Sequence, residues 1–182
     1  MSDGGVLAKS TFGQALLDGR LGLPEDALLP GAEHLGPQPH FFVADEAFPL
    51  RHNLMQPFPG SNHSGRCRVF NFRLSHARLI VENTFGILTS QWHMYRGVIG
   101  VSPANVDVCA KATLVQHNFL RRTSKTPTRA TTPPPAADSV VVGLREVNGV
   151  GRNNSAWEAI RVRETYTSYF STEGAVGWQP RV

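Results

Sequence analysis

Asp45 and Glu82 are the residues whose type and surroundings point most directly to chemistry. Asp45 follows the run His40-Phe41-Phe42-Val43-Ala44, and Glu82 stands 37 positions later in a basic, periodic segment. Two carboxylates from different elements can converge on a divalent cation, because Mg²⁺ prefers carboxylate oxygen. Phosphoryl chemistry uses that arrangement, with metal ions stabilising the attacking and leaving oxygens. The pair alone is a weak signal, since a single Glu following an Arg on a helix is more often a surface ion pair. The sequence has no P-loop, dinucleotide fingerprint or HExxH motif. His63 and Cys67 have no second Cys/His pair at zinc spacing nearby, so a polar loop is expected there. His117 is expected to be a hydrogen-bonded core histidine, and Cys109 a small buried residue.

Two elements must position the acids. The aromatic and β-branched run at 40–44, bounded by Pro39, predicts a buried strand. An acid just past such a strand lies at its carboxyl end, where open sheets gather their chemistry. The second element is a helix over about 71–92. Leu74, Ala77, Val81, Phe85, Leu88 and Trp92 recur at spacings of three and four and form one apolar face. Arg73, His76 and Asn83 lie on another face, and Glu82 shares a flank with Ser75, Arg78 and Thr89.

Around these, Thr11 and Gln14 predict a capping box for a short helix at 11–18. The Pro- and Gly-studded stretches 22–39 and 49–65 read as loops, and 96–101 as an edge strand or a loop. Ser102 and Pro103 open a second long helix that ends near Arg121-Arg122, with Val108, Ala112, Val115 and Phe119 as its inner face. Residues 123–139 are Thr- and Pro-rich and read as a linker. Val140-Val141-Val142 then suggests a strand, and Asn148 to Gly151 a turn. Ser155 and Glu158 form a capping box for a helix at 156–170, with Ala159, Val162, Tyr166, Tyr169 and Phe170 inside.

With 182 residues, the chain has the size of one domain, or of one domain with an appendage. Its 41% apolar content, together with 17 Gly, is an ordinary globular balance rather than that of a disordered chain. No apolar run is long enough to span a membrane. The start lacks a basic region and an apolar core of the secretory kind, and two cysteines cannot make a disulfide scaffold, so an intracellular chain with reduced thiols is expected. The net charge of +4 is uneven. Residues 1–60 hold three bases and seven acids, whereas 61–130 hold ten bases against only Glu82 and Asp107. Such a block fits a polyanion, commonly nucleic acid, and equally fits a solvated basic face.

Several segments together resemble PIF/Harbinger-type transposases. Phe42-Val43-Ala44-Asp45-Glu46-Ala47-Phe48-Pro49-Leu50, then Leu54-Met55-Gln56-Pro57-Phe58-Pro59, is similar to that family's second-Asp region. Asn71-Phe72-Arg73-Leu74-Ser75-His76-Ala77-Arg78 and Val81-Glu82-Asn83-Thr84-Phe85-Gly86-Ile87-Leu88 resemble the helix carrying its catalytic Glu. His117-Asn118-Phe119-Leu120 resembles its closing helix. Tyr169-Phe170, with Gly174-Ala175-Val176-Gly177-Trp178-Gln179, resembles its C-terminal tail. Ser2-Asp3-Gly4-Gly5-Val6 matches a segment upstream of the second Asp.

The resemblance implies an α/β fold, a partial RNase H-like (DDE transposase) core dominated by helices, with its first strands missing and a C-terminal helical tail. The implied division is a partial DDE nuclease domain at 1–122, the linker at 123–139, and the tail of the same family at 140–182. Asp45 would be the second metal carboxylate and Glu82 the third, with Mg²⁺ or Mn²⁺ as cofactor. Arg66, Arg68, Arg73 and Arg78 would contact DNA phosphates while a metal-bound water or a 3′-hydroxyl attacks a phosphodiester. A separate Myb-like DNA-binding partner and a nuclear location are implied as well. The family's first catalytic Asp lies upstream of the segment matched here, and Asp3 is expected to be a turn or cap residue instead. His76 stands where Arg is common, and Ala44 where Gly is usual. The expectation is therefore a truncated nuclease with feeble or no activity alone. Its strand at 40–44 would lack neighbours, and its helices would carry apolar stripes without a sheet to cover them. The alternatives are a non-catalytic remnant that binds DNA or a partner protein, and a fragment without function.

Overall fold

The computed structural model describes residues 3–61, 63–123 and 157–181. In chain order the elements are α1 (Asp3–Lys9), α2 (Thr11–Leu17), β1 (Phe42–Val43), β2 (Leu54–Met55), α3 (Gly65–Gln91), α4 (Pro103–Thr123) and α5 (Trp157–Ser171). Single 3₁₀ turns occupy Glu33–Leu35 and His93–Arg96. The expected linker at 123–139, the strand at 140–142, the turn at 148–151 and the cap at Ser155 lie almost wholly outside the described residues. Those residues form two compact units, 3–78 with 157–181, and 79–123. The described residues are mostly helical, with one small parallel sheet, in keeping with part of an α/β nuclease domain.

The first unit begins with two short helices rather than one. Asp3 opens α1, and Ser10, not Thr11, caps α2. The Ser10 hydroxyl accepts from Gly13 N (2.9 Å) and donates to Leu7 O (2.7 Å), so one side chain closes α1 and starts α2. Gly13 is buried in this corner, and a Cβ there would run into the Leu7 carbonyl. Gly13→Ala should therefore push the helices apart at a cost of about 1–3 kcal/mol. A lower thermal midpoint with faster amide exchange at Ser10 and Gln14 would show it; an unchanged midpoint would refute the close approach.

The sheet is smaller than expected. Only Phe42 and Val43 form β1, and Phe42 is exposed rather than buried. Its partner β2 falls in the stretch expected to be loop. The two run parallel, with Phe42 beside Leu54 and Val43 beside Met55. Phe42 N donates to Asn53 O (3.0 Å) and Ala44 N to Met55 O (2.8 Å). Parallel strands normally need a longer connection. Here Arg51 N bonds Leu54 O (2.9 Å), and the Asn53 side chain donates to His40 O (2.7 Å), which folds the short connection back. Leu54 and Met55 are buried, so β2 supplies the apolar side that β1 lacks.

Helix α3 starts six residues before the expected position. Gly65 takes a positive φ of 57°, which glycine adopts without the steric cost of a Cβ. Val69 and Phe70, next in line, are fully buried. Phe70 sits between Phe58 (ring centroids 5.4 Å, edge-on) and Phe170 (6.0 Å, stacked). Leu50, Met55, Leu74, Ala159 and Val162 complete this core, with Tyr166 and Phe170 packed against it. The inner face expected for the last helix is thus the one that α5 uses. Tyr166 OH donates to Pro39 O and Tyr169 OH to Pro30 O, both at 3.1 Å, which ties the Pro-rich loop to α5.

The second unit has a more polar interior. In α4 the buried residues are Thr113 and His117, while Val108, Ala112, Val115 and Phe119, expected inside, are exposed. Hydrogen bonding explains the reversal. Thr113 donates its hydroxyl within its own helix to Cys109 O (2.9 Å) and is also hydrogen-bonded to the Tyr95 hydroxyl. His117 Nδ1 donates to Gln91 Oε1 (3.1 Å), so it is a hydrogen-bonded core histidine, as expected. With their polar groups satisfied, both residues can be buried at little cost. Cys109 is half-buried. Segment 97–100 forms no strand. Arg96 instead closes the end of α3 through Thr89 O (3.0 Å) and Ser90 O (3.1 Å). On α3, Ile80, Val81 and Phe85 are exposed, and of the expected apolar face only Leu74 and Leu88 are buried.

Candidate functional site

Asp45 lies two residues beyond β1, at its carboxyl end. Its Oδ1 accepts from Ala47 N (3.0 Å), and its backbone carbonyl accepts from Phe48 N (3.3 Å), so the acid closes its own turn. Its Oδ2 faces the Arg78 guanidinium at 3.6 Å, with both side chains about one-third exposed. A pair of that exposure contributes only modestly to stability. Its importance is electrostatic, because a permanent positive charge stands beside the carboxylate. Glu82, in the second unit, is exposed on α3.

The four arginines expected at phosphates do not share one environment. Arg66 and Arg68 are exposed in the first turn of α3. Arg78 faces Asp45. Arg73 is turned to the C-terminal tail instead. Its Nη1 donates to Gly174 O (3.3 Å) and Gln179 Oε1 (3.1 Å), and its guanidinium lies 4.5 Å from the Phe170 ring centroid and 5.1 Å from that of Trp178. Partial burial lowers its pKa from the usual guanidinium value, an effect the nearby Tyr169 opposes. Gln179 completes the clasp by donating to Phe170 O (2.7 Å).

Asn71 is a positioning residue that the sequence did not single out by itself. Its side chain accepts from Phe58 N (2.8 Å) and donates to Phe58 O (3.1 Å), pinning the loop before α3 to the helix. An amide early in a basic helix that follows a Pro-rich loop is the available signal.

Residues 1–118 match the family model described as DDE superfamily endonuclease. The chain belongs to that family. No curated protein and no solved structure matches it. As a DDE superfamily endonuclease domain it is of the transposase-derived nuclease kind, whose members typically use divalent metals. Among the described residues, no group of three or more His, Cys, Asp or Glu could hold a metal ion. Both Asp45 oxygens are engaged, one by an N–H and one by a cation. Also among the described residues, no helix is long and apolar enough to cross a membrane.

Proposed function

We propose that this chain acts on DNA as a Harbinger-type endonuclease domain, with feeble or no cleavage when alone. The observation that carries the reading is the family match over 1–118, which takes in Asp45, Glu82 and most of the basic block. Asp45 and Glu82 are the carboxylates assigned to the reaction. Arg66 and Arg68, exposed at the start of α3, are assigned to the DNA phosphates, with Arg78 beside Asp45. Arg73 is left out because its guanidinium is already bonded to the tail. The Harbinger resemblance further supports a separate Myb-like DNA-binding partner and work in the nucleus. That no group of three or more His, Cys, Asp or Glu among the described residues could hold a metal ion supports feeble cleavage.

Duplex DNA binding and plasmid nicking in Mg²⁺ or Mn²⁺ test this together. Binding should weaken steeply with salt, and Arg66→Ala and Arg68→Ala should each reduce the salt slope by about 1. Nicking should stay near background. Salt-independent binding, or none, would sink the DNA reading. Robust cleavage lost in both Asp45→Ala and Glu82→Ala would overturn the expected inactivity while supporting the two acids.

A further inference from the structure

The tail motif ending in Trp178-Gln179 has no part in the site described above, yet it is tightly organised. Trp178 is 51% exposed, although its ring lies 4.5 Å from that of His76 and 6.0 Å from that of Phe72. Phe72 and His76 themselves stack, with planes 16° apart. The Arg73 guanidinium and the Gln179 clasp hold the turn that carries Trp178. His76 Nδ1 is buried without a hydrogen-bond partner, so its ring is oriented by packing against these aromatics. Arg68, Phe72 and His76 stand four apart on α3 and share one face, and Arg68 is exposed.

We propose that Trp178, backed by His76 and Phe72, is a stacking platform for an unpaired base of single-stranded DNA, with Arg68, one turn of α3 before Phe72 and two before His76, meeting the strand's phosphate. A half-exposed indole held in place by His76, Phe72 and Arg73 offers its exposed part to a planar partner at little ordering cost. Aromatic platforms beside basic side chains are how single strands are held without sequence preference. The charge decides the occupant: α3 from Gly65 to Val81 carries arginines and no acid, which suits a phosphate backbone. The proposal rests on the reading that the chain acts on DNA.

The full chain is titrated with fluorescently labelled oligo-dT and with duplex of equal length at low salt. Trp178→Ala should weaken oligo-dT binding about 5- to 150-fold, the range of one base–aromatic stack, and leave duplex binding nearly unchanged. Trp178→Phe should retain most of the affinity. It should also lose the quenching of intrinsic fluorescence that oligo-dT produces in the wild type, a readout that survives if the alanine variant misfolds. Unchanged oligo-dT affinity in Trp178→Ala, with loss in Arg68→Ala, would overturn the platform and leave the DNA reading intact. Equal losses for both DNAs, or quenching that persists in Trp178→Phe, would also overturn it. Wild-type protein that binds neither DNA would overturn the DNA reading beneath it.

Discussion

Phe70→Ala should cost about 3–5 kcal/mol, the range for deleting a fully buried aromatic ring. Such a loss is a large share of the roughly 5–15 kcal/mol that a domain has. Phe70 is 0% exposed and is the largest fully buried side chain of the first unit. It touches the loop through Phe58 and α5 through Phe170, so its removal leaves a cavity where three segments meet. Urea unfolding monitored by circular dichroism measures the effect. Phe85→Ala is the comparison, because Phe85 lies on the same helix and is 59% exposed. It should change stability by no more than about 0.5 kcal/mol. Equal losses for the two variants would mean that α3 is not packed as described.

Arg73→Ala should release the C-terminal tail at a cost of about 2–3 kcal/mol, combining charged hydrogen bonds with two cation–π contacts at a partly solvated site. The variant leaves Gly174 O and Gln179 Oε1 without their donor and takes the charge from beneath Phe170 and Trp178. Amide exchange at Gly174 and Gln179, whose N–H groups bond Tyr169 O and Val176 O, should accelerate. Arg73→Lys should recover only part of the loss, because a point charge cannot serve two acceptors and two ring faces at once. The same variant separates clasp from phosphate contact. A phosphate contact would reduce the salt slope of duplex binding, as expected for Arg68→Ala, whereas a clasp leaves that slope unchanged. A reduced slope with an undisturbed tail would return Arg73 to the DNA surface.

Elements with a strong helical period were legible in the sequence. α5 has the expected inner face because Ala159, Val162 and Phe170 are apolar and meet an apolar core. In α4 the apolar stripe, Val108 to Phe119, does not mark the buried face. Burial there depends instead on partners for a hydroxyl and an imidazole, which hydropathy does not register. β2 was missed because two residues carry no period, and their strand character comes from pairing with β1.

The ordered motifs were enough to identify the endonuclease family and to nominate Asp45 and Glu82, since residue types and spacings are written in the chain. The use made of the arginines was not. Arg66, Arg68, Arg73 and Arg78 are equivalent as charges, and only folding separates them: two exposed, one facing Asp45, one clasped by the tail. That separation depends on Gly174 and Gln179, about a hundred residues from Arg73 in sequence, being carried back to α3 by the packing of α5. A guanidinium takes whichever acceptors the fold brings within reach, and no local pattern around Arg73 records which those are.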